Sequence, residues 1–170
     1  MGTSVAAGNT KPAEQPVDRR LKNGKPELDV LPVEEQFLWH GQLDQKAVLS
    51  IMESDRFDRL SEALDAQARS SSLASDLTRL YADALNEQWQ AADPNVHLGR
   101  IACGTTLCIG SAVTTDASAW DSWLKRFDTD PHTPSYTLIE QPIDRDGGAV
   151  EHRFIFSTDP DTNGIVARPQ

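Results

Sequence analysis

The sequence predicts an α+β domain: N-terminal helices, then an antiparallel sheet of two hairpins with an intervening helix, the helices packed on one face. Three observations carry this expectation. An apolar stripe with helical period runs through residues 72–89, Cys103 and Cys108 flank a four-residue loop between two strand-like segments, and a Gly-rich turn joins two more such segments near the C-terminus.

The helical stripe comprises Leu73, Leu77, Leu80, Tyr81, Ala84, Leu85 and Trp89, which recur at positions that fall along one side of a helix. Ser71 or Ser72 can cap its N-terminus, and Asp93-Pro94 closes the region. Before it, Phe57, Leu60, Leu64 and Ala68 mark a second helix, opened by Ser54 or Asp55 and separated from the first by Ser70-Ser71-Ser72. Val48, Ile51 and Met52 suggest a further short helical piece. A later helix spans residues 117–127, capped by Thr115 or Asp116, with Trp120, Trp123, Leu124 and Phe127 toward one side.

The strand segments are residues 97–103 and 108–114 around Gly104-Thr105-Thr106-Leu107, and residues 135–141 and 150–156 around Asp144-Arg145-Asp146-Gly147-Gly148. In the last of them Val150, His152, Phe154 and Phe156 share a face, and Glu151 and Arg153 lie opposite.

The ends are polar. Hydrophobic residues make up 38% of the 170, and the first aromatic is Phe37. The expected organisation is a disordered tail or linker over residues 1–35, a single α+β domain over 36–158 and a polar C-terminal tail over 159–170. Sixteen basic against 26 acidic residues give a formal charge of −10, a field that repels phosphate backbones and anionic lipid. Nucleic acid is therefore not an expected partner, and no apolar run reaches the length needed for membrane insertion.

Two cysteines five positions apart admit several chemistries. A zinc site needs about four ligands, and no second cysteine pair or suitably spaced His pair accompanies them. A thioredoxin-type pair needs Cys-x-x-Cys at a helix start. A disulfide between Cys103 and Cys108 across the neck of a hairpin fits best, because facing strand residues approach within bridging range. Two buried free thiols and a redox-active pair remain the alternatives. A structural disulfide implies an oxidising compartment, hence a periplasmic or secreted protein. Met1-Gly2-Thr3-Ser4 leads straight into polar sequence, so the expectation is that an export signal or lipoprotein leader has been removed ahead of it.

The helical segment followed by Arg100-Ile101-Ala102-Cys103-Gly104-Thr105-Thr106-Leu107-Cys108-Ile109-Gly110 resembles uncharacterised Gram-negative envelope proteins, periplasmic or lipoprotein, that carry a Cys-x4-Cys hairpin after a helical segment. The resemblance spans residues 57–113. It implies export and a disulfide, and it brings no active-site residue with it.

Catalytic patterns are sparse. There is no Gly-x-Ser-x-Gly, and His40, His97, His132 and His152 are scattered; His152 alternates with apolar residues and reads as a half-buried structural side chain. Asp159, Asp161 and Asn163, with Gly164, match the first half of an EF-hand loop, but Gln170 stands where the bidentate Glu belongs. A solvated turn is the expected reading, with Ca²⁺ the weaker alternative, and no cofactor is expected.

The tryptophans supply the remaining pointers. Trp120, Leu124 and Phe127 form a coherent inner stripe, which leaves Trp123 expected at the edge of the buried zone and partly exposed, as an interface residue would be. Trp39, beside Phe37 and Leu38, is a second possible anchor, and Trp120 a third. The expected function is a non-enzymatic protein-binding module of the bacterial cell envelope, of accessory, inhibitor or immunity type. The alternative is a small hydrolase whose site assembles only in three dimensions.

Overall fold

The computed structural model describes residues 21–22, 25–26, 29–92 and 96–169, and its architecture is mixed α+β. Residues 1–20, where most of the expected tail falls, lie outside the described chain. Two residue pairs, β1 (Leu21–Lys22) and β2 (Lys25–Pro26), form a minimal antiparallel ribbon. A short 3₁₀ turn at Glu34–Phe37 follows, then β3 (Leu38–Trp39) and β4 (Gln42–Asp44). His40 and Gly41 both take positive φ, 51° and 75°, as the two-residue turn between these antiparallel strands requires.

Three helices come next: α1 (Gln45–Met52), α2 (Arg56–Ala68) and α3 (Ser72–Ala92). The capping residues act as their chemistry dictates. Asp44 accepts from the Ala47 amide, and the Ser71 hydroxyl accepts from the Ala74 amide, each satisfying a donor the first turn leaves over. The hairpin of β5 (His97–Cys103) and β6 (Leu107–Thr114) leads to α4 (Ala117–Thr129), then to β7 (Leu138–Asp144) and β8 (Val150–Ser157). Asp116 caps α4 through the Ser118 amide at 2.8 Å. The β7–β8 turn contains Gly147 and Gly148, both at positive φ.

The four long strands form one antiparallel sheet in the order β5-β6-β8-β7, so β8 inserts between its hairpin partner and β6. Both expected hairpins are present. The helices, however, cover both faces of this sheet instead of one. On one face Cys103, Cys108, Phe154 and Phe156 pack with Tyr81 and Leu85 of α3 and Trp123 and Phe127 of α4. On the other, Ala102, Ile109, Ile139 and Ile155 pack with Val48, Ile51 and Met52 of α1 and Phe57 and Leu64 of α2. The one-faced expectation treated every second strand residue as solvated. In β6 and β8 consecutive residues are apolar or internally paired, and nearly all of both strands is buried.

Glu151 and Arg153 show how polar residues can occupy that second face. Arg153 is 6% exposed; its guanidinium donates to the carbonyls of Met52 (2.7 Å) and Ser54 (3.1 Å), pairs with Glu151 and lies over the Phe57 ring. It caps the C-terminus of α1, where carbonyls lack helical partners and a cation is favoured. Glu151 also pairs with Arg145.

Both expected tails begin too close to the domain centre. Within residues 29–35, Val33 is buried against the second core and Glu34 is fully buried. At the other end, β9 (Ile165–Val166) pairs in parallel with β4, and Arg168 reaches the buried Asp44 carboxylate at 3.1 Å. Composition predicted solvated ends, because polar residues that find specific partners look the same as polar residues that do not.

Candidate interface

Every sequence-derived candidate can now be placed. Cys103 and Cys108 are directly opposed in the β5–β6 ladder and joined as a disulfide, S–S 2.01 Å, both fully buried. The Cys103 amide donates to the Thr78 hydroxyl of α3 at 2.9 Å, and that hydroxyl donates to the Cys103 carbonyl. Cys103 therefore turns its backbone groups away from β6, which makes the cysteines a non-hydrogen-bonded pair, the kind whose Cα atoms approach most closely. They are 4.0 Å apart.

Trp123 is not at the edge of the buried zone. It is fully buried, and Trp120 is 3% exposed. Trp123 stacks on Phe127 with centroids 5.3 Å apart and packs against Phe154 of β8. The correction follows from helix geometry. At about 100° per residue, buried Ala119, Trp123, Phe127 and Trp120 span an arc of roughly 100° whose centre falls between Trp123 and Phe127. Leu124, expected inside, sits past the edge of that arc and is half-exposed. α4 packs on the sheet and against α3 together, which moves the buried direction off the stripe the sequence suggested. Neither ring is available as a docking anchor. Trp39 is half-buried, with the Arg168 guanidinium 4.5 Å over its ring and His40 against its edge.

His152 is buried and parallel to Trp120, centroids 4.0 Å apart, and its Nδ1 lies 2.6 Å from a Glu140 carboxylate oxygen. A carboxylate orienting an imidazole is the second half of a hydrolytic triad. Here the imidazole is stacked on Trp120 of α4, and among the described residues no hydroxyl or thiol is bonded to its Nε2. The pair ties β7 and β8 to α4.

Asp159, Asp161 and Asn163 form a turn instead of converging on a centre. Asp159 accepts from the Asp161 amide, Thr162 from its own amide bonds the Asp159 carbonyl, and Asn163 is exposed. Gln42 clamps the turn: its amide nitrogen donates to the Asp161 carbonyl at 2.9 Å, and its oxygen accepts from Gly164 at 2.5 Å. Among the described residues no three His, Cys, Asp or Glu side chains gather as a metal-holding group.

The surface feature that the sequence did mark, though as core, is on α3. Tyr81 and Leu85 of its apolar stripe are buried, as is Ala74 beside them, whereas Leu73 and Leu80 are 40% and 45% exposed. The helical wheel explains the division. Ala74, Tyr81 and Leu85 cluster in the core direction; Leu73, Leu77, Leu80 and Ala84 lie about 90° around the helix from it. Asp76, Asp83 and Glu87 follow on the next sector out. A shallow groove runs along this flank, lined by Leu73, Asp76, Leu77, Arg79, Leu80 and Asp83. Arg79 pairs with Asp76 at 3.0 Å. One helix thus carries two apolar faces, one spent on the sheet and one turned outward; summed into a single broad stripe they look like core.

No helix of the described residues is long and apolar enough to cross a membrane. No protein-family model, no curated protein and no solved structure matches this chain.

Proposed function

We propose that this chain is a non-enzymatic protein-binding module of the bacterial cell envelope, exported to an oxidising compartment, which docks a cationic amphipathic segment of a partner protein on the outer flank of α3. The observation that carries the reading is the exposure of Leu73 and Leu80 on a helix whose Tyr81 and Leu85 are covered. Exposed apolar surface rimmed by charge is the ordinary composition of a docking site. The disulfide supports the compartment, since such bonds persist outside the reducing cytosol.

Charge selects the occupant. The ridge beside the stripe holds Asp76, Asp83 and Glu87 against Arg79, and the whole chain has a formal charge of −10. A second copy would bring acid to acid, whereas lysines or arginines beside an apolar partner stripe would meet complementary sign. Helix-in-groove recognition uses such i, i+4, i+7 anchors.

The test pairs a photo-crosslinking residue at position 80 with a Leu73→Asp/Leu80→Asp variant. We expect position 80 to crosslink, in envelope extract, to a segment rich in Lys or Arg between apolar residues. The bound fraction should fall as salt rises and disappear in the double variant, whose melting temperature stays near the parent's. Crosslinking to a second copy of this chain, or capture that ignores the double substitution, would overturn the reading.

A further inference from the structure

The loop of the disulfide hairpin binds a carboxylate. Glu34 is fully buried, and four donors converge on its two oxygens. The amides of Thr106 (2.8 Å) and Leu107 (3.1 Å) and the Thr106 hydroxyl (3.0 Å) donate to Oε1, and the Leu31 amide (2.7 Å) donates to Oε2; the Thr105 hydroxyl lies 3.2 Å from Oε2 but has the Asp29 carbonyl closer, at 2.8 Å, as acceptor for its one proton. Three of the four belong to the loop, and its two successive amides aimed at one oxygen form an anion-binding concavity. Thr105 and Thr106 are themselves buried, and residue 104 is a glycine whose missing Cβ leaves room for the acid. Among the described residues no Lys or Arg hydrogen-bonds to this carboxylate.

The loop is also held by contacts that do not involve the acid. The disulfide joins its two ends, and the Gly104 amide donates to the Leu107 carbonyl at 2.8 Å to close it. The Thr106 carbonyl is engaged by the Thr158 amide and the Ser157 hydroxyl, which anchor the loop to the end of β8. Glu34, in contrast, arrives on a separate strap, residues 29–37, more than seventy positions away in sequence.

We infer that residues 104–107 constitute a preformed carboxylate receptor, which the chain fills in cis with the Glu34 side chain and which accepts a free carboxylate once that side chain is removed. The receptor is independent of the α3 flank and of any partner docked there. Its ligand class follows from the donors: neutral N–H and O–H groups in a buried site, three of them aimed at one oxygen, favour a small anion of the carboxylate kind.

The experiment uses the full chain carrying Glu34→Ala, which empties the receptor without touching the loop. Its melting temperature is followed against sodium formate and sodium acetate, with sodium chloride at the same ionic strength and acetamide as controls. We expect the variant to melt below the parent and to recover in saturable fashion with formate or acetate, while the parent does not respond and chloride and acetamide do not substitute. Equal responses of variant and parent, or recovery with chloride as large as with formate, overturn the inference. Should the Ala variant stay unfolded in every solution, Glu34→Gln decides. An anion receptor presented with an amide of the same shape should lose at least about 3 °C in melting temperature, the size of shift a 1 kcal/mol loss produces in a chain of this length, and the Thr106 and Leu107 amide proton resonances should move upfield. An unchanged melting temperature and unmoved resonances overturn it.

Discussion

The Glu34 carboxylate occupies the space in which any residue but glycine at position 104 would place its Cβ. The two positions are therefore coupled. Gly104→Ala must push the carboxylate off its donors or distort a loop whose ends are joined. We expect that substitution to cost roughly 2–4 kcal/mol in denaturant unfolding, the range for overpacking that also strands buried polar groups. In a Glu34→Ala background the same change should cost about 1 kcal/mol or less, because the obstruction is gone. Equal costs in the two backgrounds would mean that the contact carries no coupling energy.

The buried disulfide makes a separate prediction. Intact mass under non-reducing conditions should fall about two daltons below the dithiol value, and unreduced, denatured protein should take up no thiol label. Both sulfurs are fully buried, so a reductant reaches them only through opening of the hairpin. Cys103→Ser/Cys108→Ser should destabilise by about 2 kcal/mol on the loop-closure estimate, with any packing loss additional. Two labelled thiols in unreduced protein would contradict the bond and remove its argument for an oxidising compartment.

How much of this was legible in the sequence depends on what each residue was competing with. Periodicity found the four helices and both long hairpins, since alternation and helical spacing report local geometry directly. It could not report which side of an element a neighbour covers. Leu73 and Leu80 read as core because apolar spacing is the same whether the face meets a sheet or solvent. Arg153 read as part of a solvated face because donation to the Met52 and Ser54 carbonyls, 101 and 99 positions away, leaves no local trace. Glu34 was hidden for the same reason, in a Glu34-Glu35-Gln36 run that composition assigns to a tail.

The tryptophans reverse in rank once α4 is placed. Trp123, at 0% exposure and wedged among Trp120, Phe127 and Phe154, should be a core truncation when replaced by Ala, costing about 3–5 kcal/mol. Leu124→Ala, on the half-exposed edge of the same helix, should cost about 1 kcal/mol or less. Equilibrium denaturation of the two variants checks the order. A mild Trp123→Ala, below the cost of Leu124→Ala, would place the buried side of α4 elsewhere.

Alkaline pH tests the packing of Tyr81, which joins α3 to the segment after α4. Its hydroxyl donates to the Pro134 carbonyl at 2.5 Å, and its ring meets Phe156 and Phe127. Burial, aided by the nearby Tyr136 phenol, pushes its pKa from 10.0 up to about 12. The folded protein thus holds the phenol proton more tightly than the unfolded chain does. The resulting stabilisation is fully present below pH 10 and is lost when pH rises from about 10 through about 12, because the unfolded chain ionises first. Two pH units correspond to at most about 2–3 kcal/mol. We expect the melting temperature to fall over that window, and Tyr81→Phe to flatten the fall while costing about 1 kcal/mol at neutral pH for the lost hydrogen bond. Tyr136→Phe, at an exposed ring, should leave most of the slope in place. If Tyr81→Phe retains the parent's full alkaline slope, the phenol that senses pH is not the one under α4.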